Sequence, residues 1–257
     1  MKIRFLGTSH GIPTADRFCS STMIEVNGAV YVIDAGGPLL DMLLRAGKTL
    51  TDVKGVFITH AHADHMAGLY GFLDTVNWYY KQASMKIFMP EQKACDLLTD
   101  LLEFVGNRKV DENRICWELV EEGMFYKDEN IKITAYLTAH LKKFGRPSFA
   151  YLVEAEGKKV VFTGDMSQWF EEDDYPKAAT LQETDVVICE FAHFTAEQIE
   201  SYMEKTKTKQ FWFNHIGLSK NFDRFVAIKG MEKKFSYPVY IACDGDEIEL
   251  HEEISNA

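Results

Sequence analysis

Residues 55–73 read "GVFITHAHADHMAGLYGFL": an apolar run breaks into three histidines and an aspartate within six positions, and an apolar helical pattern then resumes. "GVFIT" (55–59) is too short for a helix and is β-branched and aromatic, so it reads as a buried strand. "MAGLYGFLDTVNWYY" (66–80) has helical spacing behind it. In the extended turn between them, residues two apart point to the same side, so His60 and His62 converge on one cation. Asp64 and His65 fall where the chain turns into the helix, and their different direction lets them face a second cation.

Two cations need more ligands, and the chain outside this segment offers them in a repeated context. "IKITAYLTAH" (131–140), "KKVVFTGD" (158–165) and "KQFWFNH" (209–215) are strand patterns closed by His140, Asp165 and His215. Loops at strand ends are where binding side chains concentrate. The count gives His60, His62 and His140 on one metal, and Asp64, His65 and His215 on the other. Asp165 stands between them, since a carboxylate can bridge two cations through its two oxygens. Nitrogen and oxygen donors without cysteine suit zinc, and manganese or iron also fit on softness grounds. A lone strand-end histidine such as His215 is more often a satisfied core or surface residue. H-x-H-x-D-H between a strand and a helix, followed in order by three further ligands, is rare by chance. Two cations lower the pKa of a shared water toward ~7 and clamp attacking and leaving groups, which is a hydrolytic arrangement.

The rest of the chain reads as strands with helices between them. "KIRFLG", "STMIEV", a turn at Asn27-Gly28 and "AVYVID" suit strands and a hairpin; "GPLLDMLLRAGK" is helical and stops at Gly47. A strand at "KIFM" precedes the helix "EQKACDLLTDLLEFVG" and a looser acidic stretch, "KVDENRICWELVEEG". "SFAYLVEA", a Glu156-Gly157 turn and "DVVICEF" continue the strand theme, and "TAEQIESYMEKT" and "FDRFVAIKGMEKKF" are helical. The two halves share this plan, which points to two stacked sheets with helices outside, in one domain spanning 1–257.

Composition narrows the partners. A chain of 257 residues, 46% hydrophobic, can bury one sizeable core. Its net charge of −11 disfavours a nonspecific grip on a phosphate backbone. The five scattered cysteines show no C-x-x-C spacing, as expected of reduced thiols in a cytoplasmic protein. "MKIRFLGTSHG" lacks the apolar core of a signal peptide, and no stretch approaches the roughly 18 apolar residues of a membrane helix. "LKKFGRPS" places Lys142, Lys143 and Arg146 after His140, read either as a phosphate-recognition patch or as a solvated loop. Tyr79, Tyr80, Trp169 and Phe170 are read as pocket walls or as core.

"HAHADH" with the later His140, Asp165 and His215 resembles the metallo-β-lactamase superfamily, over Phe5 to His215. The resemblance implies an α/β fold, a four-layer αββα sandwich of two mixed sheets, with a dinuclear site at one edge. Asp34 in "YVIDAGG" matches an aspartate that supports this site, though a strand-end turn former explains it equally well. "FLGTSHGIPT", "HAHADHMAGLYGFL" and "FNHIGLSKNF" are similar to segments of ribonuclease Z and its phosphodiesterase relatives. Within "CEFAHFTAEQ", that match makes Glu190 and His193 an acid pair, with His193 protonating the leaving oxygen and Glu190 orienting it. Phe194 stands where the family has Ser, and Thr195 also reads as a plain N-cap.

Bacterial ribonuclease Z carries a Gly- and Lys-rich arm between the third histidine and the bridging aspartate. Residues 141–164 hold no such arm. The expected activity is therefore hydrolysis of a small or nucleotide-type, anionic phosphodiester by a metal-bound hydroxide, with Asp64 holding the water. Three alternatives stand beside it: hydrolysis of a lactone, thioester or amide; tRNA 3′-processing without the usual arm; and an inactive metal-binding scaffold. Superfamily relatives are often dimers, which leaves a homodimer open.

Overall fold

The computed structural model describes residues 1–167, 173–218 and 223–251. Two seven-stranded mixed sheets lie face to face. The first contains β1 (Lys2–Gly7), β2 (Ser21–Val26), β3 (Ala29–Ile33), β4 (Val53–Phe57), β5 (Met85–Met89), β6 (Ile115–Leu119) and β14 (Glu247–Glu249), in the order β14-β1-β2-β3-β4-β5-β6. The second contains β7 (Gly123–Lys127), β8 (Lys132–Leu137), β9 (Phe149–Ala155), β10 (Lys158–Phe162), β11 (Val186–Phe191), β12 (Phe211–Ile216) and β13 (Val239–Ile241), in the order β13-β12-β11-β10-β9-β8-β7. Helices α1 (Leu39–Arg45), α2 (Ala63–Trp78) and α3 (Gln92–Gly106) cover the first sheet; α4 (Lys177–Leu181), α5 (Ala196–Met203) and α6 (Arg224–Met231) cover the second.

Strand periodicity builds the layers. Along β3, Tyr31 and Ile33 point into the core between the sheets, and Val30 and Val32 point out toward α1 and α2. Successive side chains of a strand alternate faces, so a strand covered on both sides is apolar throughout and gives "AVYVI" its unbroken burial. The β2–β3 hairpin turns at Asn27 and Gly28, both with positive φ (51° and 80°), the pairing that a two-residue type I′ loop requires. These layers are the αββα sandwich expected from the sequence.

The differences from expectation lie at the edges. The acidic stretch 109–123 contains β6, an outer strand, and β7, β13, β14 and the single-turn α4, none of them longer than five residues, add to the expected elements. Helix α2 begins at Ala63 rather than Met66, so Asp64 and His65 lie in its first turn.

Candidate metal centre

The seven candidate ligands meet at one end of the sandwich. Strand β4 runs into Thr59 and the extended His60–His62 turn, and α2 carries Asp64 and His65. From the other sheet, His140 follows β8 by three residues and Asp165 follows β10 by three. His215 does not follow its strand but lies within β12, where Glu190 pairs with Asn214 and Phe191 with Ile216, leaving His215 as an extra residue. Its φ of +47° is the left-handed conformation, and the bulge re-aims its imidazole across the sheet end. The two sheets are tied beneath the site: the Phe149 N–H donates to the Thr59 carbonyl (3.0 Å) and the Tyr151 hydroxyl to that of Ile58 (2.7 Å).

His60 Nε2 lies 3.0 Å from His62 Nδ1, and His140 Nε2 lies 3.3 Å from the same atom. A tetrahedral ion with nitrogens at about 2.1 Å needs them roughly 3.4 Å apart. The Met166 carbonyl, 3.1 Å from His140 Nδ1, accepts its proton and so leaves Nε2 with a lone pair directed inward. On the other side, His215 Nε2 lies 3.1 Å from His65 Nε2 and 3.2 Å from Asp64 Oδ2. Asp165 stands between: Oδ2 is 3.7 Å from His60 and 3.6 Å from His140, and Oδ1 is 3.5 Å from both His65 and His215. Asp165 Oδ1 and His215 Nδ1 are buried with no hydrogen-bond partner. Buried polar atoms left unpaired inside converging donors fit a cation-binding centre. His60, His62, His140 and Asp165 could hold one ion, and Asp64, His65 and His215 a second.

The electrostatics agree with a cation-attracting site. Burial, then the neighbouring imidazoles, lowers the pKa of His60 well below its ordinary value, and burial lowers those of His62 and His140, keeping these rings neutral as ligands must be. Burial opposes charge on His65 as well, yet Asp165 and Asp34 outweigh it and raise its pKa well above the ordinary range. Burial works against the Asp64 carboxylate, but His215 and His65 hold it down at about 2. The carboxylates thus retain a proton on a buried imidazole, where a metal would supply positive charge instead.

Supporting contacts surround these groups. The Asp34 carboxylate accepts from the Thr59 N–H (2.8 Å) and hydroxyl and lies 2.8 Å from His65 Nδ1, leaving His65 Nε2 to face Asp64 and His215. Glu190 Oε1 lies 2.9 Å from His193 Nδ1 and accepts from the Met166 N–H (3.1 Å). Burial disfavours charge on His193, but Glu190 and Asp165 overcome it and raise its pKa to about 9. Phe194 turns into the core beneath α5, and Thr195 caps α5 reciprocally with Gln198. His193 and Thr195 therefore serve different neighbours.

Other candidates fall elsewhere. Arg146 spends Nε and Nη2 on Glu91 at the start of α3, so its charge is already engaged. Lys142 and Lys143 lie on a short 3₁₀ turn (Lys142–Phe144). Tyr79 is exposed and Tyr80 packs on the core beneath the helices, at the end of α2 roughly 22 Å along its axis from Asp64; neither walls the site. Trp169 and Phe170 lie outside the described residues. The sequence reading missed His10. Its Nε2 accepts from the Leu218 N–H (2.8 Å) and its ring centroid lies 6.3 Å from that of His215; its place in "FLGTSHG" was the available signal.

Comparisons with known proteins bear on the family and the fold. The family described as anti-Pycsar protein Apyc1 matches residues 1–231. Ribonuclease Z of Methanocaldococcus jannaschii is 30% identical over 154 residues, covering 59% of this chain and 47% of the relative. The chain spans about half the length of the curated relatives it matches. Among solved structures, the metallo-β-lactamase fold protein YhfI from Bacillus subtilis aligns with a TM-score of 0.75 at 17% identity, over 96% of this chain and 99% of that one. The short form of human tRNase Z aligns with a TM-score of 0.74 at 17% identity, over 98% and 100%. These likenesses establish the metallo-β-lactamase fold.

Proposed function

From the premise that the chain belongs to the family described as anti-Pycsar protein Apyc1, we propose a dinuclear metal-dependent hydrolase of a small or nucleotide-type phosphodiester. The observation that carries the reading is Asp165, whose two oxygens face two separate groups of nitrogen and oxygen donors while one of them lacks any hydrogen bond. In this proposal His60, His62 and His140 would hold one cation and Asp64, His65 and His215 the other, with Asp165 placed to serve both. Zinc suits the donor set. Such a pair of ions supplies an activated water and neutralises charge developing on the phosphoryl oxygens.

The chain's own groups do the rest. Asp64 would orient the attacking water and accept its proton. His193, protonated and held at Nδ1 by Glu190, donates a proton to the leaving oxygen. Asp34 fixes the tautomer of His65. Two features favour a small anionic substrate over tRNA. Residues 141–164 are occupied by the 3₁₀ turn and the β9–β10 hairpin, and the net charge is −11. The matched relatives named ribonuclease Z keep nucleic acid as the second reading.

The test is hydrolysis of bis(p-nitrophenyl) phosphate by zinc-loaded protein beside a His62→Ala variant, with a p-nitrophenyl ester panel in parallel. Turnover of the phosphodiester that H62A loses supports the reading. Equal rates for the two proteins, or turnover of the esters alone, overturns it.

A further inference from the structure

Asp174 lies outside every ligand motif, in the acidic run "EEDDYP" ahead of α4. A single oxygen of its carboxylate, Oδ2, accepts two backbone N–H groups, from Ala139 and from Ser167, each at 2.7 Å. Ala139 immediately precedes His140, and Ser167 follows Asp165 by two residues. One carboxylate oxygen therefore joins the loops that carry two different candidate ligands. Charge-assisted bonds of this length are among the stronger hydrogen bonds.

The same two loops are linked by other bonds on the inner side. The Thr138 hydroxyl donates to the Asp165 carbonyl at 2.7 Å, and His140 Nδ1 lies 3.1 Å from the Met166 carbonyl. These contacts come from residues beside the ligands, whereas Asp174 grips both loops from farther along the β10–α4 connection. Ladder-type bonds end one residue past each strand, with the Thr138 N–H donating to the Ser148 carbonyl and the Thr163 N–H to that of Ile188, so Ala139, His140 and Asp165 lie beyond the ladder. The bonds from Thr138, His140 and Asp174 are the ones that cross between the two loops where His140 Nε2 and Asp165 Oδ2 stand 3.6 Å apart.

We infer that Asp174 is a positioning residue that sets the spacing of His140 and Asp165, and with it the affinity of the centre for metal. This rests on the metal-centre reading proposed above, and acts through backbone amides rather than by touching a metal. Outer partners of metal ligands typically change metal affinity by about 10- to 100-fold when removed.

The test measures zinc affinity of the full chain by competition with a chromophoric chelator, for wild type, Asp174→Ala and Asp174→Asn. Asparagine can present its carbonyl oxygen to both amides, whereas alanine cannot. The expected result is a dissociation constant raised about tenfold or more in D174A and largely restored in D174N. A control, Asp128→Ala, removes a carboxylate that also accepts two backbone N–H groups, from Asn130 and Ile131, in another turn; it should leave zinc affinity unchanged. D174A binding like wild type, or D174N as weak as D174A, overturns the inference. If D174A does not fold, amide hydrogen exchange of metal-free wild type decides: protected Ala139 and Ser167 amides support the inference, and amides exchanging at open-loop rates overturn it. If wild type itself binds no zinc, the metal-centre reading fails instead, which is a distinguishable result.

Discussion

Replacing Asp34 by asparagine tests whether this residue serves the metal centre or only turns the chain at the end of β3. Asp34 has a φ of +60° and is buried, so either role is compatible with its place. Its Oδ1 accepts from the Thr59 N–H, and its Oδ2 lies 2.8 Å from His65 Nδ1. In D34N the carbonyl oxygen keeps the Thr59 bond, and the amide nitrogen, a donor only, comes to face His65 Nδ1. His65 then accepts at Nδ1 and carries its proton on Nε2, the nitrogen 3.1 Å from His215 Nε2. A protonated nitrogen cannot ligate. The loss of one charge-assisted bond should cost the metal-free protein about 1.5–3 kcal/mol. Zinc affinity should fall by about 10- to 100-fold, or about 1.4–2.7 kcal/mol. Thermal unfolding of the metal-free protein reads the first effect, and chelator competition reads the second. A variant that is less stable yet binds zinc within about threefold of wild type would leave Asp34 as a turn residue and refute the reasoning.

Two further substitutions test His193 within the site and Asp128 away from it. If His193 delivers a proton to the leaving oxygen, His193→Ala should slow hydrolysis of a diester with an alkoxide leaving group by about 10²- to 10⁴-fold and spare p-nitrophenolate, which departs without a proton. Equal losses on both substrates, measured at unchanged metal content, would remove His193 from that role. At the opposite end of the sandwich, burial opposes charge on Asp128, but the Tyr31 and Tyr126 hydroxyls and two backbone amides hold its pKa below the ordinary value. A native pKa below the unfolded one gives stability that is present above the unfolded value of about 3.9 and lost as pH falls through the native value. Urea midpoints measured down through that window should fall less steeply for Asp128→Asn than for wild type; parallel slopes would show that Asp128 does not contribute.

The ligands written next to one another were the most legible part of the site, because a contiguous H-x-H-x-D-H forces its own proximity. His140 and Asp165 were legible for another reason: each closes a strand pattern, and β8 and β10, both antiparallel to β9 between them, end at the same edge of the sheet. The bulge at His215 left no trace in "KQFWFNHIG", since nothing in that run demands a left-handed residue. Asp174 was hidden among like residues, because a carboxylate that accepts backbone amides looks the same in sequence as one facing water. Among the strands, β3 declared itself by an unbroken apolar run and β10 by the Val160-Val161-Phe162 run that ends it. The outer strand β6 was lost in an acidic stretch because only part of it is buried. Tyr79 and Tyr80, read as pocket walls or as core, lie close to the motif in sequence and far from it along α2, with Tyr80 packed on the core and Tyr79 exposed.

The most direct test of the dinuclear centre is elemental analysis of protein purified without chelator and again after reconstitution with zinc. A content near two ions per chain after reconstitution, falling in Asp165→Ala, is the expected result. A content of one or fewer that reconstitution does not raise would contradict a paired centre bridged by Asp165.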